Sequence, residues 1–176
     1  MSNKQALIFG ASGIAGWAFT RECLVYPATN IFDRVVALSY RALDKHFFTF
    51  DVNSNYDDSK LQAELSRLDV YHEIDLSSNN VLEKIANIPN IEKITHVFYS
   101  AYGSSNPFAS LTEINLALLK AALTATTKSC PKLEFWLQIS GTKSYGFELS
   151  GLPDFPAITP PLPWKEADLP LPSTFW

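Results

Sequence analysis

The sequence predicts an α/β fold in which a doubly wound parallel sheet carries helices on both faces. Short apolar runs typical of buried strands alternate along the chain with segments of helical apolar spacing. Such alternation is characteristic of parallel sheets with right-handed crossovers. Three of the chain's seven glycines, Gly10, Gly13 and Gly16, directly follow the first apolar run. We therefore expect five strands in the order 3-2-1-4-5, the usual doubly wound arrangement.

The predicted elements follow one another from the amino terminus. QALIF predicts a strand buried on both faces that ends at Gly10, and GIAGWAFTRECLVYP predicts a helix that stops at Pro27. RVVALSY and DVYHEID predict the next two strands, the later one ending near Asp75. The long connection between them has a helical pattern only over residues 58–68. SSNNVLEKIANI predicts a capped helix, ITHVFYSAY a fourth strand, LTEINLALLKAALTATTK a long amphipathic helix, and KLEFWLQISG a fifth strand.

The composition changes after Gly151. Most of the chain's eleven prolines lie in residues 152–176, which excludes a regular helix or a central strand through most of that segment. We expect residues 1–150 to form the doubly wound domain and residues 151–176 to form a proline-rich loop.

Composition and charge narrow the classes of function. The chain has 14 basic and 18 acidic residues and a formal net charge of −4 without long charge runs, which argues against nucleic acid or an anionic membrane as a partner. The amino-terminal apolar run is too short for a signal peptide or a membrane span. The two cysteines and three histidines are scattered and predict no disulfide framework and no metal site. A cytoplasmic protein is the expectation.

The glycine triplet predicts a binding site for a dinucleotide. In the doubly wound Rossmann fold, a G-x-x-G-x-x-G turn between a strand and a helix receives the pyrophosphate at the free N–H groups of the helix start. Gly10 would permit the tight turn, Gly13 the approach of the phosphates, and Gly16 close contact between helix and sheet. Ser12 and Ile14 belong to the same predicted cradle. The alternative is a glycine turn required only for packing.

The end of the second strand indicates which dinucleotide is bound. A carboxylate there would hold the ribose 2′-hydroxyl of NAD. This sequence has Ser39, Tyr40 and Arg41 instead, and Arg41 could pair with the 2′-phosphate of NADP. The prediction is NADP, and the alternative for Arg41 is a solvated surface arginine.

Four further residues are predicted to line the cofactor groove. Asp75 and Leu76, after the third strand, would lie beside the adenine, where a carboxylate accepts from the exocyclic amine and an apolar side chain covers the ring. The alternative for Asp75 is a helix N-cap. Ser100 and Ala101, after the fourth strand, complete the groove.

Several segments resemble one family of atypical reductases. The Tyr-x-x-x-Lys pair of ordinary short-chain dehydrogenases is missing, since Tyr145 is followed four positions later by Leu149. The chain has instead THVFYSAY, an asparagine-containing helix, SGTKSYGF, and EADLP followed by an aromatic cluster. Together these segments resemble the short-chain reductases of the progesterone 5β-reductase and iridoid synthase family, which carry THVFY, TGxKHY and NFYY. The resemblance extends from Gly10 to Phe175.

This resemblance implies an activity and a catalytic residue. The family reduces an enone or enal of a small apolar, terpenoid-like or steroid-like metabolite with NADPH, and negative charge gathers on the carbonyl oxygen. Lys143 matches the family's catalytic lysine, which orients the nicotinamide ribose. The family's catalytic tyrosine falls at Trp176 or on the following residue. Asn115 matches the helix asparagine that bonds backbone near the site, and its alternative role is a solvent-facing polar residue.

The resemblance also leaves alternatives open. Chains of that family are considerably longer, so the proline-rich loop is expected to lead toward a substrate-binding portion absent from this sequence. Because a fold does not fix a reaction, a non-redox isomerase or cyclase and a non-catalytic NADP-binding remnant remain alternatives. The oligomeric state is not fixed by the sequence, and a homodimer stays open.

Overall fold

The computed structural model describes residues 4–25, 31–49, 58–103 and 111–139. The predicted domain boundary at residue 150 and the proline-rich segment lie outside these ranges.

The described chain contains a five-stranded sheet in which every pair of neighbouring strands is parallel. Its order is 3-2-1-4-5, so the predicted fold class and strand order are confirmed. The strands are β1 (Gln5–Phe9), β2 (Arg34–Leu38), β3 (Leu68–Tyr71), β4 (His96–Tyr99) and β5 (Phe135–Gln138).

Helices occupy the connections between the strands, as a parallel sheet requires. They are α1 (Ile14–Val25), α2 (Asp58–Ser66), α3 (Val81–Ala86) and α4 (Leu111–Ser129). None of the helices in the described ranges is long and apolar enough to cross a membrane.

The apolar runs of the strands supply two separate cores, one on each face of the sheet. On one face, Leu7, Val36 and Val97 pack with side chains of α3 and α4. On the other face, Ile8 and Val35 and their neighbours pack with α1. Because alternate side chains of a strand point to opposite faces, the part of a strand that is buried on both sides must be apolar, which explains the run ALIF after the half-buried Gln5. The site described below lies at the carboxyl ends of these buried strands.

The connection after β2 differs from the sequence prediction. Residues without a helical pattern form a 3-10 helix at Lys45–Thr49. The carboxylate of Asp44 accepts a hydrogen bond from the His46 amide at 2.7 Å, which supplies a cap that helical periodicity does not reveal. The side chain of Phe48 is fully buried against the core on the α1 face.

The third strand is also shorter than predicted and ends at Tyr71 rather than near Asp75. The backbone of Glu73 has a φ of 59°, a left-handed conformation that cannot continue a strand. The Ile74 amide then bonds the Ser39 carbonyl at 3.0 Å, so the chain after β3 turns across the end of β2.

One histidine of the sheet is held in a partly apolar setting. His96, in β4, packs edge-on against Phe32 and beside Phe135, with ring centroids 5.2 and 5.6 Å away. Its Nδ1 lies 2.8 Å from the Thr95 hydroxyl. Desolvation, followed by the nearby positive charge of Lys4, lowers the pKa of His96 below 6.5, and Glu134 opposes this shift.

We expect this lowered pKa to appear as a pH dependence of stability. Below 6.5 the unfolded chain binds a proton at His96 more readily than the folded chain does, so the free energy of unfolding should fall as the pH drops through this range. The free energy of unfolding can be measured with urea for the wild type and for His96→Asn between about pH 5 and 8. It should change less with pH in the variant than in the wild type. His72→Asn, which replaces an exposed histidine, is the control. Equal slopes in wild type and His96→Asn would contradict the assignment.

Candidate dinucleotide-binding site

The candidate site lies where the winding of the sheet reverses. The central strand β1 has β2 on one side and β4 on the other. The helix that follows β1 packs on one face, and the helix that follows β4 packs on the opposite face. The two connections therefore separate at the carboxyl ends of β1 and β4. In open α/β sheets, ligands bind in the crevice at this topological switch point.

Gly10 forms the turn at the end of β1. Its φ is 80°, which side chains rarely tolerate, and an added Cβ would lie 2.7 Å from the Ala101 amide nitrogen. The Ala101 backbone therefore packs directly on Gly10. The hydroxyl and the amide of Ser100 both donate to the Phe9 carbonyl, at 2.8 and 3.0 Å. These contacts bring the predicted residues Ser100 and Ala101 against the glycine turn.

Gly16 allows α1 to close onto the same turn. A Cβ at Gly16 would lie 2.1 Å from the Gly10 carbonyl oxygen and 2.8 Å from the Ala11 Cα. No side chain fits at that distance, so both Gly10 and Gly16 are required by the fold alone. For these two glycines, the packing interpretation is sufficient.

Gly13 is different from its two neighbours in the motif. The nearest atom to its added Cβ would be the Gly10 carbonyl oxygen at 3.4 Å, an ordinary contact distance, and its φ is not in the left-handed range. Its backbone is exposed. Packing within the described chain therefore does not require a glycine here, whereas a ligand that approaches the backbone would.

The start of α1 offers hydrogen-bond donors next to Gly13. Among the described residues, the amides of Ser12, Ile14 and Ala15 have no hydrogen-bond acceptor. The Ile14 side chain is 92% exposed, so it does not cover the turn. Free amides at a helix start, aligned with the positive end of the helix dipole, favour an anion.

Of the three residues after β2, Ser39 forms the turn, whereas Tyr40 and Arg41 are exposed. Ser39 is buried, its amide bonds the Tyr71 carbonyl at 2.9 Å, and its hydroxyl accepts from the Arg41 amide at 3.0 Å. Tyr40 is 70% exposed and Arg41 is also exposed. Within the described part of the chain, the Arg41 guanidinium makes no hydrogen bond or ion pair. Ser39 therefore shapes the turn, while Arg41 is available to an anion.

Asp75 and Leu76, the two residues predicted beside the adenine, both make contacts within the protein. One carboxylate oxygen of Asp75 accepts from the Ser77 amide at 2.9 Å and from the Ser77 hydroxyl at 2.6 Å. The N-cap position of α3 is Asn80, so the alternative N-cap role of Asp75 is not observed. Leu76 is only 9% exposed and belongs to the core beneath α3. Asp75 thus keeps one oxygen free of these bonds, and Leu76 packs inward.

Asn115 connects α4 to the edge of the crevice. Its side-chain oxygen accepts from the Gly103 amide at 2.9 Å, and its nitrogen donates to the carbonyls of Gly103 at 3.2 Å and Leu111 at 2.9 Å. Of the two roles considered for Asn115, the structure shows the bond to backbone. Gly103 is two residues beyond Ala101, so this side chain helps to fix the β4 end of the crevice.

A further contact, not anticipated from the sequence, holds the segment after β2. The indole N–H of Trp17, in the first turn of α1, donates to the Phe47 carbonyl at 3.0 Å. Apolar spacing predicted only a helix at Trp17 and could not supply its partner, because the 3-10 helix at residues 45–49 has no periodic signal.

Two cysteines and one tyrosine in the core have raised pKa values. Desolvation, with a smaller effect of Glu22, raises the pKa of Cys23 to about 12, and desolvation with a smaller effect of Glu92 raises that of Cys130 to about 11. Burial raises the pKa of Tyr99 to about 12. All three therefore keep their protons at neutral pH. No three metal-ligating side chains are grouped together within the described ranges.

A separate cavity of about 700 Å³ lies at the opposite edge of the sheet, by the starts of the strands. Its lining includes Gln5, Thr95 and Leu133. The carboxyl ends of the strands, not their amino ends, are where such sheets bind ligands, so we assign the candidate site to the glycine turn. The predicted catalytic Lys143, together with Tyr145 and Trp176, lies outside the described residues.

Comparison with protein families agrees with this geometry. The PRISE-like Rossmann-fold domain matches residues 6–174, nearly the whole chain. The chain belongs to this family. The predicted resemblance is thereby confirmed.

Relatives of this PRISE-like chain include two fungal proteins. It is 34% identical over 152 residues to the short chain dehydrogenase ausT of Aspergillus calidoustus, covering 82% of this chain and 34% of that protein. It is 33% identical over 146 residues to the short chain dehydrogenase sirQ of Leptosphaeria maculans, covering 80% and 34%. The chain spans about a third of the length of these relatives.

A solved structure shares the fold. The crystal structure of Gre2 in complex with NADPH from Candida albicans superposes with a TM-score of 0.58 at 11% identity, over 81% of this PRISE-like chain and 38% of that chain. At this identity the likeness concerns the fold alone.

The glycine contacts predict different effects of three alanine substitutions on folding. Gly16→Ala should lower the free energy of unfolding by about 2 kcal/mol or more, because its Cβ meets backbone that cannot move aside. Gly10→Ala should also destabilise, through its φ and its contact with Ala101. Gly13→Ala should change stability by less than about 1 kcal/mol. Denaturant unfolding of the three variants tests this order, and a strongly destabilised Gly13→Ala would show that packing explains all three glycines.

Proposed function

We propose that this chain forms the cofactor-binding part of an NADPH-dependent reductase that acts on an enone, enal or carbonyl of a small apolar metabolite. The observation that carries the proposal is Gly13. Packing in the described chain accounts for Gly10 and Gly16 but not for Gly13, which borders the unbonded amides of Ser12 and Ile14. A pyrophosphate that approaches the backbone at Gly13 supplies the missing reason for a glycine there.

The choice of NADPH over NADH rests on Arg41. This residue follows β2 at the position where an acidic side chain would hold the ribose hydroxyl of NAD, and neither Ser39 nor Tyr40 is acidic. Its guanidinium is exposed and makes no ion pair with the described residues. A planar guanidinium matches a phosphate with two parallel hydrogen bonds, so a 2′-phosphate suits this position.

Different described residues would bind different parts of NADPH. The amides at the start of α1 would hold the pyrophosphate, Arg41 the 2′-phosphate, and the free carboxylate oxygen of Asp75 the adenine amine. The bonds from Ser100 to the Phe9 carbonyl keep the β4 side of the groove in place. NADPH, when bound, supplies a hydride to the substrate.

The chemistry beyond cofactor binding is assigned by family resemblance. Lys143 is the proposed residue that orients the nicotinamide ribose and favours negative charge on the substrate oxygen. Membership of the PRISE-like family and similarity to two short chain dehydrogenases support a reductase. The cytoplasmic location and a homodimer stay predictions.

Cofactor binding is tested with Gly13→Ala. Because a methyl group at this position would keep a pyrophosphate from approaching the exposed backbone of Gly13, we expect NADPH binding to weaken at least about tenfold, the effect of losing roughly one charge-assisted hydrogen bond. Isothermal titration calorimetry measures the binding, and denaturant unfolding serves as the control for folding. Undiminished NADPH binding by Gly13→Ala would contradict a pyrophosphate site at this turn.

The reductase step is tested with Lys143→Met. We expect this variant to bind NADPH within about threefold of the wild type but to lose most turnover, because the lysine acts on charge that develops during the reaction. NADPH oxidation in the presence of a panel of enones and enals, by a chain that includes the expected substrate-binding portion, measures turnover. Unchanged turnover would contradict the role of Lys143. Product formation without any nicotinamide would favour an isomerase or cyclase instead.

A further inference from the structure

The segment that displays Arg41 is fixed at its near end by β2. Ser39 is buried, its amide donates to the carbonyl of Tyr71 at the end of β3, and its carbonyl accepts from the Ile74 amide beyond that strand. Its hydroxyl also accepts from the Arg41 amide at 3.0 Å. The backbone of Arg41 therefore leaves the sheet from a defined point.

The same segment is fixed again three residues later. Asp44 caps the 3-10 helix Lys45–Thr49 through bonds from the His46 amide at 2.7 Å and the Phe47 amide at 3.1 Å. Phe48 has no exposed surface and packs in the core on the α1 face. Only Ala42 and Leu43 separate Arg41 from this second fixed point.

A polar contact joins this second point to α1, the helix that follows the glycine turn. The indole N–H of Trp17 donates to the Phe47 carbonyl at 3.0 Å. Trp17 directly follows Gly16, the residue through which α1 closes onto Gly10. The first turn of α1 thus contacts both the proposed pyrophosphate cradle and the segment that carries Arg41.

We propose that Trp17 is a positioning residue for cofactor selection, which acts by holding Arg41 at a fixed separation from the glycine turn. This inference rests on the proposed function. The pyrophosphate and the 2′-phosphate of NADP belong to one adenosine unit, so their separation is limited by its covalent structure. A protein that binds both must keep its two anion-binding elements at a matching distance, and a displacement of about 1 Å weakens a directional contact strongly.

The effect of the Trp17–Phe47 hydrogen bond on cofactor binding can be measured separately from its effect on folding stability. Trp17 is only partly buried and Phe47 is 43% exposed, so water can replace the indole N–H as the donor to the Phe47 carbonyl. Loss of the bond should therefore cost little folding free energy. It should nevertheless loosen the Phe47 backbone relative to α1, while Phe48 stays buried, and this change affects the ligands that use Arg41.

The test compares the binding of NADPH and NADH by calorimetry in the full chain. Trp17→Phe keeps an aromatic ring but removes the N–H donor. We expect NADPH binding to weaken about three- to tenfold, in line with one lost hydrogen bond, while NADH binding changes less than about twofold. Arg41→Ala should remove the preference for NADPH, and adding Trp17→Phe to Arg41→Ala should have no further effect, because the indole acts through the guanidinium.

Phe19→Leu is the matched control on the same helix. Its ring packs against Phe98 in β4, at 5.2 Å between centroids, and it has no hydrogen-bond donor to offer the Phe47 carbonyl. We expect this variant to leave the ratio of the two affinities unchanged, whatever its effect on stability.

Two outcomes would overturn the inference. The first is an unchanged ratio of NADPH to NADH affinity in Trp17→Phe, whether neither affinity changes or both weaken equally, as a purely structural role would give. The second is a full effect of Trp17→Phe in the Arg41→Ala background. If the wild type binds neither cofactor, the proposed function itself fails and the inference falls with it. If the wild type binds NADPH tightly and Trp17→Phe binds it equally well, the inference about Trp17 is overturned but the proposed function is not.

Discussion

The close approach of α1 to the end of β1 is the contact on which the rest of the site depends. At Gly16, an added Cβ would lie 2.1 Å from the Gly10 carbonyl oxygen, so only a hydrogen atom fits between helix and turn. The same turn is closed on its other side by Ala101, whose amide would lie 2.7 Å from a Cβ at Gly10. Strand, helix and crossover loop therefore meet at one backbone position, and the free amides of α1 take their direction from it.

Much of the fold could be predicted because it depends on patterns that are local in sequence. The parts of strands that are buried on both faces must be apolar, so runs such as ALIF are recognisable without knowledge of their partners. The strand order follows from the alternation of strands and helices and the handedness of crossovers. The end of β3 and the 3-10 helix at Lys45–Thr49 could not be predicted in this way, because each depends on individual hydrogen bonds to distant or non-periodic residues.

The candidate site, too, could be predicted only in part from the sequence. The glycine spacing predicted the turn, and the order of strands placed Ser100 and Ala101 beside it. The sequence could not distinguish residues that shape the backbone from residues that remain available to a ligand. Ser39 and Arg41 are two positions apart, yet Ser39 is buried with its hydroxyl committed to the turn, whereas Arg41 is displayed. Leu76 is similar, since its hydrophobicity suits an adenine and a protein core equally well, and the structure places it in the core.

The hydrogen bonds of Asn115 have a consequence for how α4 is attached to the crevice. Its side-chain nitrogen donates to the carbonyls of both Gly103 and Leu111, the two residues that flank positions 104–110. One side chain thus joins the two ends of that connection, while its oxygen holds the Gly103 amide as well. The link between α4 and the β4 side of the crevice therefore runs through a side chain of the described residues, and it does not depend on the chain between its two ends.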